Sequence, residues 1–349
     1  MARLTYSTVG NNTILNNLPK QVKPLEKQKL VAIIIVNWNQ KKLLATCLSS
    51  LKIKTEYQNY HVIVVDNGSL DGSVETLKQG FPWVDIVALD KNRGFSIGNN
   101  KGIFYAIKKY EPQYVLLLNN DVEIVQSNWL IKMVSVAESE DNVGIVGCRL
   151  IYPNGKTQYI GTKVTVKGFP WVNPSEESSL PEMFDVDAVL GACFLIKKAV
   201  LDKIGFFDIG FSPFVHEESD FCMRAKKAGY RTCMVLSVSI VHFWKMSVDK
   251  VNSAYLDFVV RKNTIRFMLL NFSTSWLWKR TIVEVRIFGG CFIARNKSKK
   301  AIVPIKLRTG REMLYRLRLN FYAWKANLLS LREIIVKRRN RTAKLLAIE

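Results

Sequence analysis

The sequence predicts an α/β fold, with a mostly parallel central sheet flanked by helices, followed by a basic, largely helical C-terminal region. Three observations lead there. Short β-branched runs alternate with segments of helical periodicity, starting at Val31-Ala-Ile-Ile-Ile-Val36; strands buried on both faces read this way. Polar residues cluster immediately after those runs, where the loops of a parallel sheet gather. The charge is lopsided: residues 249–349 carry 23 Lys or Arg against 6 Asp or Glu, a net +17 of the chain's +22.

Residues 1–29 are polar, Asn-rich and end in a Lys-rich patch with Pro19 and Pro24, so they are taken as an N-terminal extension. A catalytic domain is expected over 30–248. Its strands fall at Val31–Val36, His61–Val65, Val84–Leu89 and Tyr114–Leu118, and its intervening helices at Lys41–Leu51, Asp71–Gln79 and Ser96–Lys109. Residues 150–185 hold four prolines and three glycines and read as loops or a hairpin near a site entrance. Order returns at Val186–Ile196, followed by helices at Lys198–Ile204 and Glu218–Ala228 and a strand region at Arg231–His242.

Composition narrows the function classes. No stretch reaches the roughly 20 apolar residues of a membrane-spanning helix: Phe267–Trp278 is too short, and Ile282–Ala294 is interrupted by Glu284 and Arg286. The N-terminus lacks the compact apolar run of a secretory signal. Six cysteines without a CxxC pair argue against a zinc ribbon and suit reduced thiols in a cytoplasmic protein. A GxGxxG after the first strand and a GxxxxGK[ST] are both absent, which disfavours dinucleotide dehydrogenases and P-loop enzymes.

The strand ends hold the chemistry. The first finishes in Asn37-Trp38-Asn39, the second in Asp66-Asn67-Gly68-Ser69, the fourth in Asn119-Asn120-Asp121. Asp121 is placed to hold a divalent metal on a diphosphate, which needs hard oxygen ligands; a cap or turn is the competing reading of each group. In the loop 92–100, Arg93 can meet a phosphate, and Gly94 allows close backbone approach ahead of Asn99 and Asn100. In His216-Glu217-Glu218-Ser219-Asp220, three carboxylates open a helix. They can act with its dipole or supply a general base whose like-charged neighbours raise its pKa. His242 closes a strand as a candidate metal ligand or a structural histidine.

In order, the segments VNWN, VVDNGSLDGS, NRGFSIGNN, LLLNNDVEI, GACFLIKKAVLDKIGFFD, HEESDFCMRAKKAGYR and VHFWKMS resemble the family 2 glycosyltransferases of the GT-A fold, in particular their rhamnosyltransferase-like branch. The resemblance spans about Val31 to Ser247. It implies a GT-A nucleotide-diphospho-sugar transferase that works by inversion on a dTDP- or UDP-sugar, with rhamnose-like sugars favoured, and a glycan or lipid-linked acceptor. Asp66 would bind the nucleobase, Asn37 and Asn39 would line the nucleotide pocket, and Asn67, Arg93, Gly94, Asn100, Asn119 and Asn120 would border the donor. Asp121 ends the DxD-type element and would coordinate Mg²⁺ or Mn²⁺. Asn119 stands where the first Asp of that element often lies. His242 would be a further metal ligand in a His-x-x-x-x-Ser pattern with Ser247. Glu218 matches the base position, with Glu217 and Asp220 as alternatives because Asp is more usual there.

Residues 249–349 form the third expected unit. Leu314, Leu317, Phe321, Trp324, Leu328, Leu331 and Ile335 recur at spacings of three and four, with Arg311, Arg316, Arg318, Lys325, Arg332 and Lys337-Arg338-Arg339 around them. A basic amphipathic helix of this kind lies in a membrane interface or packs its stripe on the catalytic domain or another subunit. The expectation is a peripheral protein on the inner face of the cell membrane, with an anionic lipid surface as partner and self-association possible. A nucleotidyltransferase, a nucleic-acid-binding protein and a degenerate sugar-nucleotide-binding relative are the competing readings. The first wants a Gly-rich basic loop after strand one, which Asn37-Trp38-Asn39-Gln40 is not. The acidic site elements would repel a nucleic acid, and the Asp66, Asp121, Glu218 and His242 set argues against degeneracy.

Overall fold

The computed structural model describes residues 28–165, 168–243, 252–273, 275–277 and 309–346. Most of the N-terminal extension, Ser247 and the 282–294 stretch lie outside the described residues, as do the side chains of Arg311, Leu314, Arg316 and Leu317.

The sheet-bearing region runs β1 (Val31–Asn37), α1 (Lys41–Lys54), β2 (Tyr60–Asp66), α2 (Ser73–Gly80), β3 (Val84–Ala88), α3 (Phe95–Tyr110), β4 (Tyr114–Leu118), β5 (Val122–Ile124), α4 (Trp129–Ser139), β6 (Val143–Ile151), β7 (Thr157–Tyr159), β8 (Met183–Asp185), β9 (Cys193–Lys197), α5 (Lys198–Ile204), α6 (Glu217–Lys227) and β10 (Arg231–His242). The sheet order is β3-β2-β1-β4-β9-β6-β10-β5, with β7 pairing β6 and β8 pairing β10 at its side. β3, β2, β1, β4, β6 and β10 point one way; β9 and β5 run against them. The expected mostly parallel sheet is therefore present, with β9 inserted antiparallel between β4 and β6.

Val31–Ile35, Val62–Val65 and Val115–Leu118 are buried between helices on the two faces, which is why they read as unbroken apolar runs. Helix α3 lies close on β1 and β2 because a Cβ at Gly102 would meet Ile34 Cγ2 at 2.4 Å; the loop before α3 is thereby delivered to the strand ends. The five described cysteines are buried and free.

Among the described residues, the helices α7 (Ser253–Asn271), α8 (Thr309–Leu329) and α9 (Leu331–Leu346) follow. The stripe expected as one helix breaks at Ser330, where the Ser330 N–H donates to Asn327 O. Among the described residues of these two helices, Ala323, Asn327 and Ile334 are buried; Asn327 Nδ2 donates to Lys262 O of α7. Phe321, Trp324, Leu328, Leu331 and Ile335 stay exposed, so among the described residues the stripe does not pack on the sheet-bearing region. Buried Asp208 takes Arg266 of α7 at 3.0 Å and Lys337 of α9 at 2.6 Å, and Glu333 joins Arg266 at 2.8 Å. Among the described residues no helix is long and apolar enough to cross a membrane.

Candidate active site

The parallel strands end on one edge of the sheet, and a cleft of about 990 Å³ opens there. Trp38, Asn67, Arg93, Gly94, Asn119, Asn120, Asp121, Glu217, Glu218 and His242 all border it. Predicted residues from both halves of the chain thus meet in one place, whereas Asn37, Asn39, Asp66, Asn100 and Asp220 do not line it.

Asp121 and His242 come together through sheet pairing. β5 runs antiparallel beside β10 with His242 opposite Val122, and Phe243 N donates to Asp121 O at 2.9 Å. His242 Nε2 lies 3.3 Å from Asp121 Oδ1, an atom that is buried and accepts no hydrogen bond among the described residues. On the far side of the ring, Gln158 Oε1 is 2.7 Å from His242 Nδ1, and Gln158 Nε2 donates to the His242 carbonyl. That amide orientation makes Oε1 the acceptor for an Nδ1–H and leaves Nε2 as the ring nitrogen facing Asp121. An imidazole nitrogen beside a buried carboxylate oxygen that lacks a hydrogen-bond donor is a donor set that fits a divalent cation held by Asp121 and His242. Among the described residues no third His, Cys, Asp or Glu converges on them, so other oxygens must complete the shell.

The residues expected on the nucleotide side divide into wall and frame. Asn37 is fully buried and Asp66 nearly so, and neither borders the cleft. Asn37 Nδ2 donates to Asp66 Oδ1 at 3.2 Å, Asn120 Nδ2 donates to Asn37 Oδ1 at 2.8 Å, and Ser69 N donates to Asp66 Oδ2 at 2.9 Å. This chain of bonds ties the ends of β1, β2 and β4. Asn39, in the left-handed region with φ 52°, accepts from Leu70 N and so closes the β1 loop on the β2 loop. Asn67 accepts from Arg93 N and donates to Asn92 Oδ1 and Gly94 O. Gly94 has φ 83°, and a Cβ there would meet Pro213 O at 2.8 Å, so no other residue fits that crossing. The Arg93 guanidinium pairs with Asp90 at 2.8 Å. Asn100 is not brought to the cleft: its amide exchanges hydrogen bonds with the Phe207 backbone.

The acidic end is built by a strained turn and a brace. Val215 and His216, at φ 81° and 74°, are in a region costly for non-glycine residues, above all a β-branched one. They aim the first turn of α6 at the cleft. Half-buried Glu218 accepts from Gly191 N at 3.0 Å; a Cβ on Gly191 would come within 2.6 Å of that same Oε1. Glu217 is buried, and its Oε2 has no partner among the described residues. Burial pushes the Glu218 carboxyl above the ordinary glutamate value. For Glu217, burial and then the neighbouring Glu218 charge push it well above. Asp220 points away from the cleft, fully buried against Arg224 at 2.9 Å and Asn271 at 2.8 Å.

Helix α7 holds this turn. Asn263 is fully buried and its Nδ2 donates to Phe211 O, Phe214 O and Val215 O at 2.5, 2.7 and 3.2 Å. Lys262 Nζ donates to Ser212 O, and His216 Nε2 meets Thr264 Oγ1 at 3.0 Å. The His216 ring stacks on Phe267, 5.2 Å between centroids, and burial lowers its pKa to about 4. Gln158, Gly191 and Asn263 are the supporting residues that sequence reasoning missed. Gly191 lies inside a quoted motif, but Gln158 sits in the turn-rich segment and Asn263 beyond the last motif, where no local pattern marks them.

Residues 32–205 match the family described as Glycosyl transferase family 2. The chain belongs to that family. It is 29% identical over 232 residues to the O-antigen biosynthesis protein RfbC of Myxococcus xanthus, covering 63% of this chain and 18% of the relative. It is 22% identical over 269 residues to an N-acetylglucosaminyl-diphospho-decaprenol L-rhamnosyltransferase of Mycobacterium tuberculosis, covering 71% and 86%. An uncharacterized protein of Sinorhizobium fredii, 27% identical over 259 residues (69% of this chain), is likewise matched over only 28% of its length; the chain thus spans less than a third of two of these family relatives. The fold is shared with crystalline GalNAc-T7 with UDP, GalNAc and Mn²⁺ (TM-score 0.57, 13% identity, 88% of this chain and 58% of that one). It is also shared with mannosyltransferase PcManGT of Pyrobaculum calidifontis in complex with GDP-Man and Mn²⁺ (TM-score 0.52, 13% identity, 92% and 87%). Both are GT-A glycosyltransferases, and the fold of this family 2 member follows that architecture.

Proposed function

We propose that this family 2 member is an inverting, metal-dependent glycosyltransferase that moves a sugar from a nucleotide-diphosphate donor to a hydroxyl of a glycan or lipid-linked acceptor. One observation carries the reading: the unsatisfied Asp121 Oδ1 faces His242 Nε2 in the same cleft as the Glu218 carboxylate. The first pair suits a cation on a diphosphate; the second group suits proton removal. Mg²⁺ or Mn²⁺ held there supplies Lewis-acid stabilisation of the departing diphosphate. Glu218, oriented by Gly191 N, takes the acceptor proton as the acceptor oxygen bonds to the anomeric carbon. The bond from that carbon to the phosphate oxygen breaks, and its electron pair leaves with the nucleotide. Asn67 and Gly94 hold the loop that walls the nucleotide end, and Asn37 with Asp66 fixes the strand ends behind it. A dTDP- or UDP-linked, rhamnose-like donor is favoured by the rhamnosyl activity in one relative's name and the UDP bound to one structural neighbour.

The test is donor breakdown across a panel of nucleotide sugars, with Mn²⁺, Mg²⁺ or EDTA. Metal-dependent release of one nucleotide diphosphate is expected. Release that is indifferent to EDTA contradicts the metal role, and silence across the panel together with no nucleotide binding contradicts the transferase reading.

A further inference from the structure

We propose that the outer face of α8 and α9 is a docking surface for an anionic lipid bilayer. At 100° per residue, Ala323 and Asn327, which seat α8 on α7, share one side of the helix. Phe321, Tyr322, Leu328 and Leu329 fall on the opposite side and are 56–81% exposed. Arg318 and Lys325 lie among them and are also exposed. Helix α9 repeats the arrangement: Ile334 is buried, while Ile335 and Val336 face outward between exposed Arg332 and Arg339. Large aromatic and aliphatic side chains interleaved with cations suit the boundary between headgroups and acyl chains, where the rings and alkyl groups enter and the cations stay with the phosphates. A protein partner of matching chemistry would have to offer both an apolar groove and carboxylates; a bilayer with anionic headgroups offers both everywhere. The charge of the region favours lipid too, since 23 of its 101 residues are Lys or Arg.

The surface also has a relation to the cleft. Tyr255 of α7 borders the cleft and is half exposed, and two residues along the helix Asp257 accepts from Tyr315 of α8 at 3.1 Å. Helix α8 therefore passes beside the mouth on the acidic side of the cleft. A bilayer under α8 and α9 brings that mouth close to the membrane, where an acceptor carried on a lipid would be presented. Docking of this face is independent of the reaction in the cleft.

The test is co-sedimentation of the full chain with vesicles of phosphatidylcholine alone and of phosphatidylcholine with phosphatidylglycerol. Binding to the anionic vesicles and little to the neutral ones is expected. The double variant Phe321→Glu with Leu328→Glu lowers that binding about tenfold or more, while its thermal unfolding midpoint stays at the wild-type value. Lys325→Glu with Arg332→Glu lowers it roughly fivefold for each cation removed. Three results overturn the proposal: wild type that ignores anionic vesicles, an apolar double variant that binds as well as wild type, or a lipid-free wild-type dimer that this variant converts to monomer. The last assigns the face to a second copy of the chain.

Discussion

Glu217 and Glu218 are adjacent in the chain yet meet different surroundings. Glu218 has a donor, Gly191 N, and stays half-buried at the cleft. Glu217 is buried, lacks a partner for Oε2 among the described residues, and its carboxyl is raised further by the Glu218 charge. The Gly191 N–H can hold an ionised Glu218, whereas no donor among the described residues reaches Glu217 Oε2, so the proposed base is Glu218. Glu218→Gln is therefore expected to lower kcat by about 10²- to 10⁴-fold, whereas Glu217→Gln retains most of the rate. The pH profile follows from the same shift. The base is active only when ionised, and burial holds its pKa above the usual 4.5; activity is lost as pH falls through that raised value, so the acid limb lies above 4.5. A limb at or below the ordinary glutamate value, or equal losses in the two variants, contradicts the assignment. In the sequence the motif resemblance put Glu218 first, with Glu217 and Asp220 as alternatives, and the residues alone did not separate the three. Only the third dimension shows that Asp220 is consumed by Arg224 and Asn271, and that Asn100 serves the Phe207 backbone. Conversely, Asp121 and His242 were legible because both terminate apolar strand runs, and strand ends are where a parallel sheet exposes side chains to ligand.

At the scale of elements, α7 is the part whose role exceeds its sequence signal. Its residues read as a mixed polar and apolar helix beyond the last motif, but Asn263, Arg266 and Asn271 are buried because each satisfies groups far away in sequence. Such pairing is non-local and leaves no periodicity to read. The helix stabilises a turn that two left-handed residues make costly. Asn263→Ala removes the donor for three carbonyls and should cost about 1–3 kcal/mol of stability. It should also displace the α6 first turn, lowering kcat up to about 10²-fold with little change in donor KM, because the nucleotide end of the cleft rests on α3 and β2. A loss confined to stability, with kcat intact below the unfolding temperature, would remove α7 from the catalytic account. The break at Ser330 is a similar case: heptad-like spacing carried across 314–335, but a helix pair packs Ala323 and Ile334 instead and leaves the larger side chains outside.

At the scale of the molecule, the two ends of the cleft come from opposite halves of one sheet, and the strand that joins those halves, β9, runs against its neighbours. Alternation of strands and helices predicted the parallel part, but strand order depends on which edges meet after folding. The Asp208, Arg266, Glu333 and Lys337 cluster then ties the C-terminal helices to the sheet-bearing region, so the cleft loops, the turn before α6 and the outer helices are connected through ion pairs. The claim on which the rest depends is that Asp121 and His242 hold a cation against a nucleotide diphosphate. Calorimetric titration of UDP and dTDP into wild type and Asp121→Ala, each with Mn²⁺ and with EDTA, addresses it without needing an acceptor. For at least one of the two nucleotides, binding should weaken in wild type by roughly tenfold or more when metal is removed, equivalent to about 1.4 kcal/mol, and Asp121→Ala should bind equally weakly with or without metal. Wild-type affinity that is unaffected by EDTA, or a mutant that keeps the full metal enhancement, would contradict it.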